Sequence, residues 1–201
     1  MHLLAAQPGS ISDGSAALDL GQLPGDIVFL SSADTELACL AAAQDRLGPE
    51  VPSLRLVNLL RLGHNLSIDL YLDKVVSRAR LVILRLLGGA GYWSYGVEQL
   101  ASLCRERGIP FAALPGDDQP DAGLMELSTV SAETMNRLWR YCIEGGIENA
   151  THLLRFAGTL TGREEAWREP VPLLRAGLYW PGLELPGYED LAVRWKRDRP
   201  V

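Results

Sequence analysis

The sequence predicts an α/β protein built on a doubly wound sheet of about five parallel strands. Three observations carry this expectation. Short, branched apolar runs begin near residues 2, 26, 54, 81 and 110, and intervals in the high twenties are what one strand and one crossover helix consume. Leu81–Leu84 is apolar at every position, as suits a strand covered on both faces. Gly88, Gly89 and Gly91 then supply a sharp turn, and Trp93, Val97, Leu100, Ala101 and Cys104 follow at helical spacing. In an open α/β sheet such a strand, turn and helix border a crevice, because loops diverge from the carboxyl ends of the strands.

Taken in order, His2–Ala6 reads as the first strand. Residues 7–25 carry Pro8, Gly9, Gly14, Gly21, Pro24 and Gly25, which leaves no room for a full crossover helix. Asp26–Ser31 is the second strand, and Asp34–Leu47 its helix, stopped by Gly48-Pro49. Ser53–Leu59 is the third strand, although its leucines also fit a helix, and Gly63–Asn65 is a loop. Ser67–Ala79 carries Ile68, Tyr71, Leu72, Val75, Val76 and Ala79 at i, i+3, i+4 spacing, the amphipathic helix pattern. Leu81–Leu86 is the fourth strand, Trp93–Arg107 its helix, and Pro110–Leu114 the fifth strand. The whole is a flavodoxin-like domain over residues 1–116.

Residues 117–161 read as a second region. Its acidic, turn-rich start, continuing from Gly116 to Leu127, is a linker. A helical hairpin follows, its first helix lined by Met135, Leu138, Trp139 and Cys142 and its second by Ile147, Ala150, Leu154 and Ala157, split by Gly145-Gly146. It is sized to pack on the sheet or to bridge to a neighbour. Residues 162–201 form an irregular tail in which Pro170, Pro172, Pro181, Pro186 and Pro200 punctuate Trp167, Trp180 and Trp195. Too little apolar periodicity remains there for independent folding, so the tail needs a partner surface, and it leads towards a further domain.

Composition excludes several function classes. Net charge is −6 and only Lys74 and Lys196 are lysines, so there is no electrostatic footprint for nucleic acid. No run approaches the ~20 apolar residues of a membrane span, and no signal peptide opens the chain; the expected compartment is the cytoplasm. Cys39, Cys104 and Cys142 are odd in number and far apart, as expected of reduced thiols. His2 and His152 have no partner at ligand spacing, so no protein metal site is expected.

The glycine cluster fails the dinucleotide fingerprint, because Ser94 stands at the third glycine and Tyr92-Trp93 crowd the pyrophosphate position. It is either a tight turn or the mouth of a crevice in which Tyr92, Trp93 and Tyr95 offer flat surfaces to a large planar ligand. Trp93 matches the buried stripe, whereas Tyr92 suits the crevice. His64 is either a helix-start residue or an axial ligand or proton acceptor at the same edge. No Walker A sequence occurs, so ATP hydrolysis is not expected of this chain. A cobalamin-binding loop needs Asp and Gly where Leu62 and Ser67 stand, a phospho-receiver needs a lysine ending the fifth strand, and a nucleophile elbow is missing.

Several stretches resemble one family: His2–Ala6, Ala17–Gln22 leading into Asp26–Ser31, His64–Val75, and Leu84–Gly89 running into Tyr92-Trp93. Leu127–Val130, Leu138–Tyr141 with Gly145-Gly146, and Ala176–Pro181 continue the series. Together they resemble the amino-terminal part of the large subunit of aerobic cobaltochelatase, and, less closely, of magnesium chelatase. No single stretch is diagnostic; the ordered set is. The resemblance implies a multi-subunit ligase that forms nitrogen–metal bonds, inserting Co2+ into hydrogenobyrinic acid a,c-diamide during cobalamin synthesis. It implies a large subunit that holds the tetrapyrrole and AAA+-type ATPase partners that hydrolyse ATP. The fragment alone is expected to bind no cofactor and to be inactive, Co2+ and ATP being used by the whole complex. His64, Gly88, Gly89, Tyr92 and Trp93 are then the candidate tetrapyrrole crevice, and no catalytic residue is assigned. Two other readings stay open: a structural domain that docks the ATPase partners, and a free-standing small-ligand domain, against which the abrupt carboxyl end argues.

Overall fold

The structure, a computed structural model, describes residues 17–172, 176–183 and 186–195. Four parallel strands, β1 (Ile27–Ser31), β2 (Leu54–Asn58), β3 (Leu81–Leu86) and β4 (Phe111–Pro115), lie in the order β2-β1-β3-β4. They are the second to fifth strands expected from sequence; the first, His2–Ala6, lies outside the described residues. The arrangement is flavodoxin-like. β1, β3 and β4 are buried throughout, which is why their sequences run apolar instead of alternating.

Helices cover both faces. Side chains alternate along the strands, so Val28, Leu30, Val82, Leu84 and Phe111 enter one core, with α2 (Asn65–Lys74) and α3 (Ser94–Arg107) above them. Ile27, Phe29, Leu81, Ile83 and Leu114 enter the other, under α1 (Asp34–Leu47), α5 (Ala132–Glu144) and α6 (Gly146–Leu160). The helical hairpin thus packs on the sheet. β1 feeds α1 on one face, and β3 feeds α3 on the other, so the chain diverges between these adjacent strands.

The helix expected over Ser67–Ala79 begins earlier, at Asn65, and ends earlier, at Lys74. A 3-10 turn, Val76–Arg78, follows it. Consecutive helical residues point about 100° apart, and the tighter turn lets Val75 and Val76 both enter the core. The helix expected from Trp93 begins at Ser94, after a 3-10 turn over Ala90–Trp93.

Residues 116–127 carry α4 (Ala122–Met125), whose Leu124 is fully buried. Just beyond, Ser128 and Thr129 bond the outer edge of β4, their hydroxyls accepting from Ala113 N and Phe111 N at 2.8 Å each. The sequence-based reading of 116–127 as a linker missed this, because one buried leucine makes no periodicity. Residues 163–171 run over the hairpin. Tyr141 donates to the Arg168 carbonyl, and the Asn149 amide pairs with both backbone groups of Val171. The chain divides into two compact units, Met1–Val171 and Pro172–Val201. In the second, expected to be irregular, α7 (Tyr188–Arg194) forms with Glu189 and Asp190 in its first turn and Arg194 in its last, charges that suit the helix dipole.

Val76 has no exposure and sits among Ile68, Leu72 and Ala79. Val76→Asp places an unpaired carboxylate there and is expected to cost roughly 3–5 kcal/mol. A thermal midpoint within a degree or so of wild type would contradict this placement.

Candidate functional site

The carboxyl ends of the four strands share one edge of the sheet, and its two sides differ. On the α2/α3 side, Gly88 and Gly89 hold φ of 89° and 75°, a left-handed pair that only glycine adopts at little cost. Their turn brings Tyr92 over Gly88, with the Tyr92 Cβ 3.7 Å from where a Gly88 Cβ would lie. Trp93 turns inward: 5% of it remains exposed, and its indole N–H donates to the Leu62 carbonyl at 3.0 Å. The ring lies so flat against α3 that a Cβ on Gly96 would sit 2.1 Å from it. Trp93 therefore fills the core and ties the loop after β3 to the loop after β2. Tyr92 is half-buried. Tyr95 donates to Asp69 at 2.8 Å, joining α3 to α2.

His64 is exposed and caps α2, its Nδ1 accepting from Leu66 N at 3.1 Å. The structure thus gathers Gly88, Gly89, Tyr92 and Trp93 into one turn. His64 follows Leu62, the acceptor of the Trp93 bond, by two positions, and its ring already has a structural use.

The other side of the edge holds a feature that the sequence reading missed. Arg85 continues the parity of Leu81 and Ile83, so its side chain enters the α1/α5/α6 core, and only 9% of the residue is exposed. Its β1 register partner is Ser31. Nε meets Glu36 Oε1 at 3.2 Å, and Nη2 donates to the Gly116 carbonyl at 2.9 Å. Ser31 Oγ donates to Glu36 Oε2 at 2.7 Å. Nη1 is buried without a hydrogen-bond partner among the described residues.

A cavity of about 460 Å³ opens around this cluster, its wall including Thr35, Arg85, Gly116, Cys142 and Gly145. Burial raises the Glu36 carboxyl above the ordinary carboxylate range, against the pull of Arg85 and the Ser31 bond. Burial, reinforced by the Glu36 charge, pushes the Cys142 thiol up to about 12. Cys142 is thus a protonated thiol near neutral pH, unsuited to act as a nucleophile. Cys39, Cys104 and Cys142 are all free thiols. Among the described residues, no three His, Cys, Asp or Glu side chains are grouped to hold a metal ion, and no helix is long and apolar enough to cross a membrane. The signal that sequence reasoning passed over was a charged residue at a core-parity position of a doubly covered strand.

No family model matches the sequence. The chain is 45% identical, over 94% of its length, to the aerobic cobaltochelatase subunit CobN of a Sinorhizobium species. It is 43% identical over its whole length to the same subunit of Pseudomonas aeruginosa. It spans 15% and 16% of those two proteins. Among solved structures, the catalytic subunit of cobaltochelatase from Mycobacterium tuberculosis superposes with a TM-score of 0.60 at 26% identity. That superposition covers 77% of this chain and 12% of that one.

The two sides respond differently to substitution. Trp93→Ala is expected to lower the unfolding free energy by roughly 3–5 kcal/mol, and Tyr92→Ala by less than half of that; equal losses in chemical denaturation would contradict the inward placement of Trp93. For Glu36 the sign follows from its raised pKa. The folded chain keeps this proton to higher pH than the unfolded chain does. The associated stability is fully present below the ordinary value of 4.5 and is lost as pH rises through the folded value. The stability of wild type relative to Glu36→Gln is therefore expected to fall as pH rises from 4.5 through the folded value, and to level off above it. Urea midpoints that keep a constant difference across that range would refute it.

Proposed function

From a chain related along its whole length to the CobN subunit of aerobic cobaltochelatases, we infer a segment of the large subunit of an ATP-dependent cobaltochelatase. The observation that carries this is 43–45% identity over 94–100% of the chain. In this reading the complete cytoplasmic enzyme inserts Co2+ into hydrogenobyrinic acid a,c-diamide, its large subunit holds the tetrapyrrole, and separate AAA+-type subunits hydrolyse ATP. Cobalt is substrate here, not a resident cofactor. Insertion requires the ring to bend, two pyrrole N–H protons to be accepted and the metal to shed water. None of those steps is assigned to a residue of this segment.

Its part in the reading is to offer the carboxyl edge of the sheet to the tetrapyrrole. Tyr92, half-buried over Gly88, gives a flat apolar surface, with Gly89 completing the turn; the exposed His64 follows Leu62, the acceptor of the Trp93 bond, by two positions. Trp93 supports that surface from within.

The test replaces the matching segment of the Pseudomonas CobN subunit with this chain and assays cobalt insertion with partner subunits and ATP. The expected result is insertion by the chimaera, none by a subunit lacking the segment, and none by the 201 residues alone. Turnover by the isolated chain, or an inactive but folded chimaera, would overturn the reading. A chimaera that inserts magnesium and not cobalt would instead favour the magnesium chelatase relationship. Within an active chimaera, Tyr92→Ala is expected to weaken tetrapyrrole binding by roughly 1–3 kcal/mol, the scale of an aromatic stacking contact. Unchanged affinity would remove this turn from the binding surface.

A further inference from the structure

We propose that α7 is a docking helix, and that its stripe of Tyr188, Leu191 and Trp195 enters an apolar groove in the remainder of the large subunit. The occupant rests on the large-subunit reading above; the docking face rests on two observations of its own.

The first is where the exposed apolar side chains lie. The chain is held to the hairpin as far as Val171. Asn149 pairs with both backbone groups of Val171. The Arg137 guanidinium lies 4.7 Å from the Trp167 ring centroid and pairs with Glu169 at 2.9 Å. Beyond Val171, Leu191 is the one buried residue among those described. Leu178, Tyr179, Tyr188, Val193 and Trp195 are all exposed. A single exposed leucine is ordinary, whereas a concentration of large apolar side chains marks an interaction surface. Tyr188 and Trp195, 76% and 65% exposed, are of the types that anchor interfaces. The unit Pro172–Val201 is below the roughly 40 residues that a stable core needs without disulfides or metals. Its helix therefore takes its cover from elsewhere.

The second observation is the pattern of the helix. Tyr188, Leu191, Ala192 and Trp195 fall at i, i+3, i+4 and i+7, which is one stripe. Glu189, Asp190 and Arg194 lie off it. Two of these charged residues are used locally: Asp190 accepts from Gly187 N at 2.9 Å, and Arg194 donates to the Asp190 carbonyl at 2.8 Å. Anchors at this spacing are how an amphipathic helix is seated in a groove. Seven residues are too few for a helix to persist alone in water, and docking supplies what its length lacks.

The occupant is the rest of the same polypeptide. The chain spans 15% and 16% of the two CobN relatives, so in this reading most of the subunit is covalently joined to α7. Covalent linkage presents a groove at an effective concentration on the order of millimolar, which a separate partner must match by affinity.

Hydrogen exchange read by mass spectrometry over residues 188–195 tests the proposal, comparing the 201-residue chain with the chimaera that carries it in the Pseudomonas CobN subunit. The α7 amides are expected to exchange at least about tenfold more slowly in the chimaera. Tyr188→Ala combined with Trp195→Ala should return them to the rate of the isolated chain. Alanine favours a helix, so lost propensity cannot explain that acceleration. Val193→Ala, off the stripe, should leave the protection in place. If the chimaera fails to fold, the matching peptide of the intact Pseudomonas subunit is read instead. Equal exchange in the isolated chain and the full-length subunit overturns the proposal, as does a loss of protection in Val193→Ala equal to that in the double variant. Protection in the isolated chain that rises with its concentration assigns the stripe to a second copy and overturns it too. An active chimaera with an unprotected α7 refutes the docking alone; a folded, inactive chimaera with a protected α7 refutes the chelatase reading alone.

Discussion

The parallel pairing of β1 with β3 is the constraint on which the edge depends. Its register sets Ser31 beside Arg85 at the carboxyl end. Both strands are covered on both faces, so each successive side chain must enter one core or the other. Parity leaves no choice for Arg85: it follows Leu81 and Ile83 under α1, α5 and α6. The chain then parts, with α1 leaving Ser31 on one face and the glycine turn leaving Leu86 towards the other. One backbone pairing therefore creates both the polar cavity and the aromatic turn.

Stability is a poor explanation for the Arg85–Glu36 pair. Taking two charges out of water costs several kcal/mol per ion, and a well-packed apolar pair is often neutral or better. The Glu36 carboxyl shows the cost directly, since desolvation outweighs the attraction of Arg85 and the Ser31 bond and leaves its pKa raised. Gly116 brings its carbonyl to Arg85 from a position so tight that a Cβ would lie 2.5 Å from Leu87 N. Several elements thus orient a guanidinium whose burial the core does not require.

The elements were legible wherever periodicity was long or burial was complete. The β1 and β3 runs, α1 and the hairpin helices follow from apolar pattern and stopping residues alone. The end of α2 was not legible, because Val75 and Val76 satisfy a helical stripe and a 3-10 turn equally well. The structural role of Trp93 was half-legible. Its spacing matched the core, but its bond to Leu62 and its need for Gly96 join positions that pattern cannot relate. Arg85 was overlooked because a single arginine at the end of an apolar run looks like a strand end reaching water. Only the parity of the strand, together with α5 arriving from more than forty positions later, shows that it is enclosed.

Hydrogen-bond accounting separates the two sides of the edge. In the aromatic turn, the polar groups of the tightest packing already have protein partners: the indole N–H is bonded to Leu62, Tyr92 N to the Gly89 carbonyl and the Tyr95 hydroxyl to Asp69. What that side offers is chiefly apolar surface. Across β3, Arg85 is held by Glu36 and the Gly116 carbonyl with one arm, Nη1, buried and unpaired among the described residues, and α1 and α6 start without side-chain caps. The difference follows from alternation along β3, whose even-numbered positions lie under the aromatic turn while its odd-numbered ones end at Arg85.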